Sequence, residues 1–119
     1  MKNTLILGAT TNPSRYAYLA ANRLVANGHS IINVGIKSGE VAGQPIEKPE
    51  IIHHDVNTIT LYLGPAHQKD YYEYILKTNP QRVIFNPGTE NPELEELLVK
   101  NHIQAVKACT LVLLSTNQY

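Results

Sequence analysis

With 119 residues, the chain has the length of one domain and can build a core without a disulfide or a metal. Its 43% hydrophobic and 17% charged content excludes a disordered polymer. Ten basic residues offset ten acidic ones, so no global field favours nucleic acid or an anionic membrane, and any anion site has to be local. Cys109 is the only cysteine, which leaves no internal disulfide and suits a reducing compartment.

Leu5-Ile6-Leu7 is apolar on both faces and ends at Gly8, as a central parallel strand does. It is too short for a signal-peptide core, and no segment is long enough to span a bilayer, so a cytoplasmic location is expected. From about Ser14 to Asn27, Ala17, Ala20, Ala21 and Leu24 fall at helical spacing, and Asn27-Gly28 supplies the stop. Ile31 to Val34 is the second strand, completing a unit of βαβ length.

Lys37 to Asp55 holds Gly39, Gly43, Pro45 and Pro49 and shows no sustained period. It reads as a long functional loop, or as one carrying short extra elements such as a helix. Thr58 to Leu63 alternates as a third strand. A helix over about 66–77 follows, burying Tyr71 or Tyr72 with Ile75 and Leu76. Val83-Ile84-Phe85 is the fourth strand. Asn91-Pro92-Glu93 opens a helix with a polar cap, a first-turn proline and an acid at the positive end of the dipole. Ile103 to Ala108 is the fifth strand, and Leu111 to Leu114 a short helical segment. Five strands alternating with helices predict an α/β domain over 1–119, with a parallel sheet covered on both faces.

The segment from Gly8 to Arg15 joins the first strand to the first helix, at the sheet edge where such folds bind ligands. Gly8 permits a tight turn with Ala9 behind it. Asn12 or Ser14 can cap the helix, and Pro13 suits its first turn. Exposed amides and the helix dipole attract phosphate, Thr10 and Ser14 add hydroxyls, and Arg15 offers a planar cation. A plain connection with Arg15 merely solvated is the bland alternative. The dinucleotide fingerprint is met only at Gly8, since Thr10 and Pro13 occupy its later glycine positions. The second strand ends in Gly35-Ile36-Lys37, where an NAD-binding protein usually has an acid. Lys37 suits a phosphorylated ribose, as in coenzyme A or NADP, or is simply an exposed lysine.

Gly8 to Tyr16, Val34 to Lys37, Thr58 to Tyr62, Val83 to Asn91 and Ala108 to Val112 together carry a resemblance. The chain resembles the small bacterial CoA-binding proteins, whose domain is similar to that of the succinyl-CoA synthetase alpha subunit. The resemblance spans nearly the whole chain, and Asn86-Pro87-Gly88-Thr89-Glu90 is its most specific segment. It implies a three-layer Rossmann-like fold with a five-stranded parallel sheet and coenzyme A, or an acyl-CoA, bound across the strand ends. The first loop and Arg15 would meet the pyrophosphate, and Lys37 would lie near the phosphorylated adenosine. Leu63, Gly64 and Pro65 would flank the adenine, with Asn86, Pro87 and Gly88 as the opposite wall. Asn57 stands where an aspartate is expected, Asn117 where a glycine is expected, and His53-His54 replaces a more ordinary loop.

Adjacent His53 and His54 diverge and lack the usual ligand spacing, so a surface loop is expected there and no metal site. Cys109 reads as a buried, inert thiol, with a disulfide-forming nucleophile as the alternative. Glu90 suits a helix terminus better than catalysis, and Tyr62, Tyr71, Tyr72 and Tyr74 read as sheet and helix packing, with the pocket edge as the alternative for Tyr62. The expected function is binding of a nucleotide cofactor without catalysis. The alternatives are an NADP-dependent oxidoreductase fragment, an acyl-CoA ligase-like component needing a partner subunit, or a regulatory domain with an emptied pocket. No residue decides between a homo-oligomer and a partner enzyme.

Overall fold

The computed structural model describes residues 2–119. The apolar runs mark five of its strands: β1 (Thr4–Leu7), β2 (Ile31–Val34), β5 (Thr58–Leu61), β6 (Arg82–Phe85) and β7 (Gln104–Lys107). Two more, β3 (Glu40–Val41) and β4 (Gln44–Glu47), lie in the segment read as a loop, so the sheet has seven strands rather than five. The extra element is a hairpin, not a helix. Its two-residue turn, Ala42-Gly43, has both φ values positive, at 52° and 82°. Such turns match the twist of the flanking strands. The Asn33 amide, buried on β2, donates to the carbonyls of Val41 and Gln44 and pins the hairpin to the sheet.

The strand order is β3-β4-β2-β1-β5-β6-β7, and every neighbouring pair is parallel except β3 with β4. In register, Leu5 aligns with Ile32 and Ile59, and Ile59 with Val83. On this face Leu5, Leu7, Leu61 and Phe85 pack against α3 (Tyr72–Thr78) and α4 (Pro92–Lys100) through Tyr74, Ile75, Leu94 and Leu98. On the other, Ile6, Ile31 and Ile46 pack against α1 (Tyr16–Ala26) and α5 (Thr110–Ser115) through Ala17, Ala21, Leu24 and Leu114. Each fully buried Leu, Ile or Phe contributes roughly 1.5–3 kcal/mol. The result is a three-layer α/β Rossmann-like fold with a mostly parallel sheet.

The helix expected over 66–77 is broken. A short helix α2 (Pro65–Gln68) runs through a 3-10 turn, Lys69–Tyr71, into α3. Three residues at three per turn advance the side chains by about 60° over α-helical winding. Gln68, Tyr74, Ile75 and Thr78 therefore all point inward, and Tyr71, Tyr72 and Leu76 are only partly buried.

Three helix ends follow one recipe. After α1, the Gly28 amide donates to the Val25 carbonyl and the His29 amide to that of Leu24, with Gly28 at φ 85°. This is a Schellman cap. The same pair of bonds ends α4 at His102 (φ 62°) and α5 at Asn117 (φ 57°). Asn117, where the resemblance expects glycine, thus keeps the left-handed backbone that asparagine tolerates. Asn57, in place of the expected aspartate, accepts from the Thr58 hydroxyl and also donates to Gln81, which a carboxylate cannot do.

Candidate functional site

The parallel register brings the loops after β2, β1, β5 and β6 to one edge, in that spatial order. The chain moves outward from β1 to β2, then returns to β5 on the other side of β1. Ligands of open α/β sheets bind at this reversal.

Gly8 and Gly35 shape the centre of that edge. Gly8 sits at φ 101°, and a Cβ there would lie 3.0 Å from the Tyr62 backbone. A Cβ on Gly35 would lie 2.6 Å from the Ala9 carbonyl oxygen. The amides of Gly8 and Ala9 both donate to the Val34 carbonyl, so the loop leaves β1 pressed against the end of β2. Ala9 is buried, and Thr10 to Arg15 turn outward.

The expected cap of α1 is not there. Asn12 Oδ1 accepts from the amide and hydroxyl of Ser14, and the Arg15 amide returns to the Asn12 carbonyl. Asn12 therefore closes a β-turn with Pro13 inside it, ahead of the helix rather than in its first turn. Thr10 is engaged too, its hydroxyl accepting from the Asn12 amide. Arg15 is the N-cap residue, and no side chain caps α1. The first amides of this eleven-residue helix thus face the edge without a side-chain acceptor, beside the exposed Arg15. By contrast, Asn91 caps α4 by accepting from the Leu94 amide.

Asn86 organises the far wall. It is buried, and its amide donates to Thr60 Oγ1 (2.7 Å) and the Leu61 carbonyl (2.8 Å). Its Oδ1 accepts from the Thr110 amide (2.9 Å). One side chain therefore ties the ends of β5 and β6 to the start of α5. Beyond it, Gly88 takes φ 91° and its amide donates to Glu90 Oε1, so Glu90 closes this turn and does not start the helix. Gln68, fully buried, donates to the carbonyls of Leu63 and Thr89 and accepts from Asn91. It locks the Leu63-Gly64-Pro65 turn to the 86–91 turn, with Gly64 preceding α2 and Pro65 beginning it.

Between these walls lies a cavity of about 220 Å³, lined by Tyr16, Tyr62, Asn86, Pro87, Cys109 and Leu111. Of the residues singled out from sequence as a binding set, only Asn86 and Pro87 line it. Lys37 is exposed at the end of β2, on the opposite side of β1. Tyr16 and Leu111 carry no local signal in the sequence; they meet here because α5 packs back against α1. Cys109 is partly exposed at the mouth of α5 rather than buried. Burial pushes the Tyr62 hydroxyl up to about 12, so it stays protonated. A wider groove, about 350 Å³ between Tyr72 and α4, carries charges of both signs.

No group of three metal-ligating side chains occurs among the described residues. His53 instead pairs with Glu47 at 2.9 Å, while His54 is exposed. No helix among the described residues is long and apolar enough to cross a membrane.

No curated protein matches the chain. Among solved structures, the crystal structure of an uncharacterized protein is 55% identical, with 100% of this chain and 98% of that one covered at a TM-score of 0.98. A protein from Thermus thermophilus is 23% identical, with 99% and 90% covered at a TM-score of 0.86. A hypothetical protein from Pyrococcus horikoshii OT3 is 24% identical, with 93% and 79% covered at a TM-score of 0.81. The last two show the fold alone. A model of the CoA binding domain family matches residues 2–115. With that match running over nearly the whole chain, the protein belongs to the CoA binding domain family.

Proposed function

We propose that the protein is a single domain that binds coenzyme A or an acyl-CoA along the carboxyl edge of its sheet, without chemistry of its own. The observation that carries this reading is the start of α1. Its first amides have no side-chain cap, Arg15 stands at the N-cap position, and the helix opens at the edge where the chain reverses. Unpaired amides and the positive end of the dipole together favour a phosphate. Arg15 adds bidentate, charge-assisted contact. With the pyrophosphate on this loop, Lys37 on the β2 side meets the phosphorylated ribose. With the adenosine on that side, the turns at Leu63, Gly64 and Pro65 and at Asn86, Pro87 and Gly88, across β1, flank the pantetheine arm rather than the adenine.

Calorimetric titration with CoA, dephospho-CoA, NAD and NADP tests the reading. Saturable CoA binding that weakens without the 3′-phosphate is expected, and Lys37→Ala should erase the difference between the two. Arg15→Ala should weaken CoA by roughly 10- to 150-fold, the loss of one charge-assisted hydrogen bond of about 1.5–3 kcal/mol. Binding of NADP but not CoA would move the protein to the oxidoreductases. Binding of neither would refute the site.

A further inference from the structure

The cavity between α1 and α5 is distinct in kind from the phosphate loop beside it. At about 220 Å³ it is smaller than the roughly 300–1,000 Å³ of a site for a drug-sized ligand. It holds only about seven water volumes at ~30 Å³ each. A whole nucleotide does not fit, and the end of one does.

Position says which end. Arg15 immediately precedes Tyr16, so the cavity adjoins the proposed phosphate contact. Asn86 and Pro87, at the end of β6, lie two strand spacings from β1, roughly 10 Å. That is the side away from β2 and Lys37. A cofactor whose adenosine turns toward Lys37 must send its other arm toward β5 and β6.

The lining says what that arm carries. Tyr16, Tyr62, Pro87 and Leu111 present mostly ring and aliphatic surface. Asn86 spends both its amide nitrogen and its oxygen on Thr60, Leu61 and Thr110, so it offers little more than a wall. No Lys, Arg, Asp or Glu lines the space. Such a chamber favours a neutral, largely apolar group and rejects a charged one. Tyr62 and Cys109 contribute the other polar side-chain groups of the lining.

We propose that this cavity receives the acyl-thioester end of the ligand and, by its volume, confines it to a short, uncharged acyl chain. The inference rests on CoA binding at the neighbouring loop. Leu111 and Tyr16, from opposite ends of the chain, would set the chain-length limit.

The test is a chain-length series on the full chain: CoA, acetyl-CoA, butyryl-CoA, succinyl-CoA and palmitoyl-CoA by calorimetry. Affinity should rise from acetyl to butyryl by up to about fourfold per buried methylene. It should gain nothing further at palmitoyl, and succinyl-CoA should bind more weakly than butyryl-CoA. Leu111→Trp, which fills the cavity, should remove the gain from acetyl to butyryl. Leu111→Ala, which enlarges it, should move the optimum to a longer chain, so one variant's failure to fold leaves the other to decide. Alkylation of Cys109, the sole cysteine, supplies a second readout. Butyryl-CoA should slow it, whereas adenosine 3′,5′-bisphosphate should not. CoA binding with a flat chain-length profile would overturn this assignment while leaving the phosphate site standing. Absence of CoA binding would overturn both.

Discussion

Asn86→Ala removes three hydrogen bonds, of 2.7, 2.8 and 2.9 Å, from a buried position at the wall of the cavity. Thr60 keeps a partner, because its hydroxyl also meets that of Thr110 at 2.8 Å. The Leu61 carbonyl and the Thr110 amide lose the side chain that satisfied them. Each orphaned buried group costs about 1–3 kcal/mol, so the loss should be about 2–6 kcal/mol. That is a large share of a total near 5–15 kcal/mol. Asn86→Asp separates the components. Its carboxylate can still accept from Thr110 but faces the Leu61 carbonyl, and burial should raise its pKa above the ordinary value for an aspartate. A raised folded-state pKa means stability that is present at low pH and lost as pH rises through it. Urea unfolding of the wild type and both variants at pH 5 and pH 8 measures this. The Asn86→Asp protein should be the more stable at pH 5, relative to wild type at each pH. A cost below about 1 kcal/mol for Asn86→Ala, with no pH trend for Asn86→Asp, would show that this web does not hold the strand ends together.

Gly35→Ala should destabilise the protein by roughly 1–3 kcal/mol, because its Cβ meets backbone at 2.6 Å; Gly64→Ala, with open space and φ −65°, should be neutral or slightly stabilising, and thermal melts of the pair check both. His102→Gly should raise stability by up to about 1 kcal/mol by relieving the left-handed backbone after α4, read as a higher urea midpoint at unchanged slope. Burial pushes Tyr62 to about 12, as burial and then the Glu47 charge do for Tyr74. Both hydroxyls ionise first in the unfolded chain, so stability present below pH 10 should fall above it. The slope is about 1.4 kcal/mol per pH unit for each group, and Tyr62→Phe should make it shallower.

β1, β2 and β6 were readable because they are apolar runs, the first two ending at Gly8 and Gly35, and β5 because it alternates, and several helix starts and stops carry their usual residues. The β3–β4 hairpin was not. Its strands are short, Pro45 interrupts the pattern, and its turn is Ala42-Gly43 rather than Asn-Gly, so neither propensity nor turn chemistry announces it. The break before α3 was hidden for a different reason. Gln68 is polar, and only the two loops it bridges explain why it turns inward. In the candidate site, Gly8 and the loop to Arg15 were visible as a local motif, but the cap was assigned wrongly. Asn12 satisfies Ser14 instead of the helix, a choice between two nearby acceptor geometries that spacing cannot make. Tyr16 and Leu111 became part of the site only through the packing of α5 on α1, which no local pattern encodes.

That packing has a consequence for how the molecule matures. The cavity is closed by Tyr16 on one side and by Cys109 and Leu111 on the other, residues far apart in the sequence. Synthesis delivers β1, α1 and β2 first, yet no cavity exists until α5 has docked on α1. A ligand in the cavity would therefore bind only chains in which α5 has docked, and would strengthen that docking by RT ln(1 + [L]/Kd).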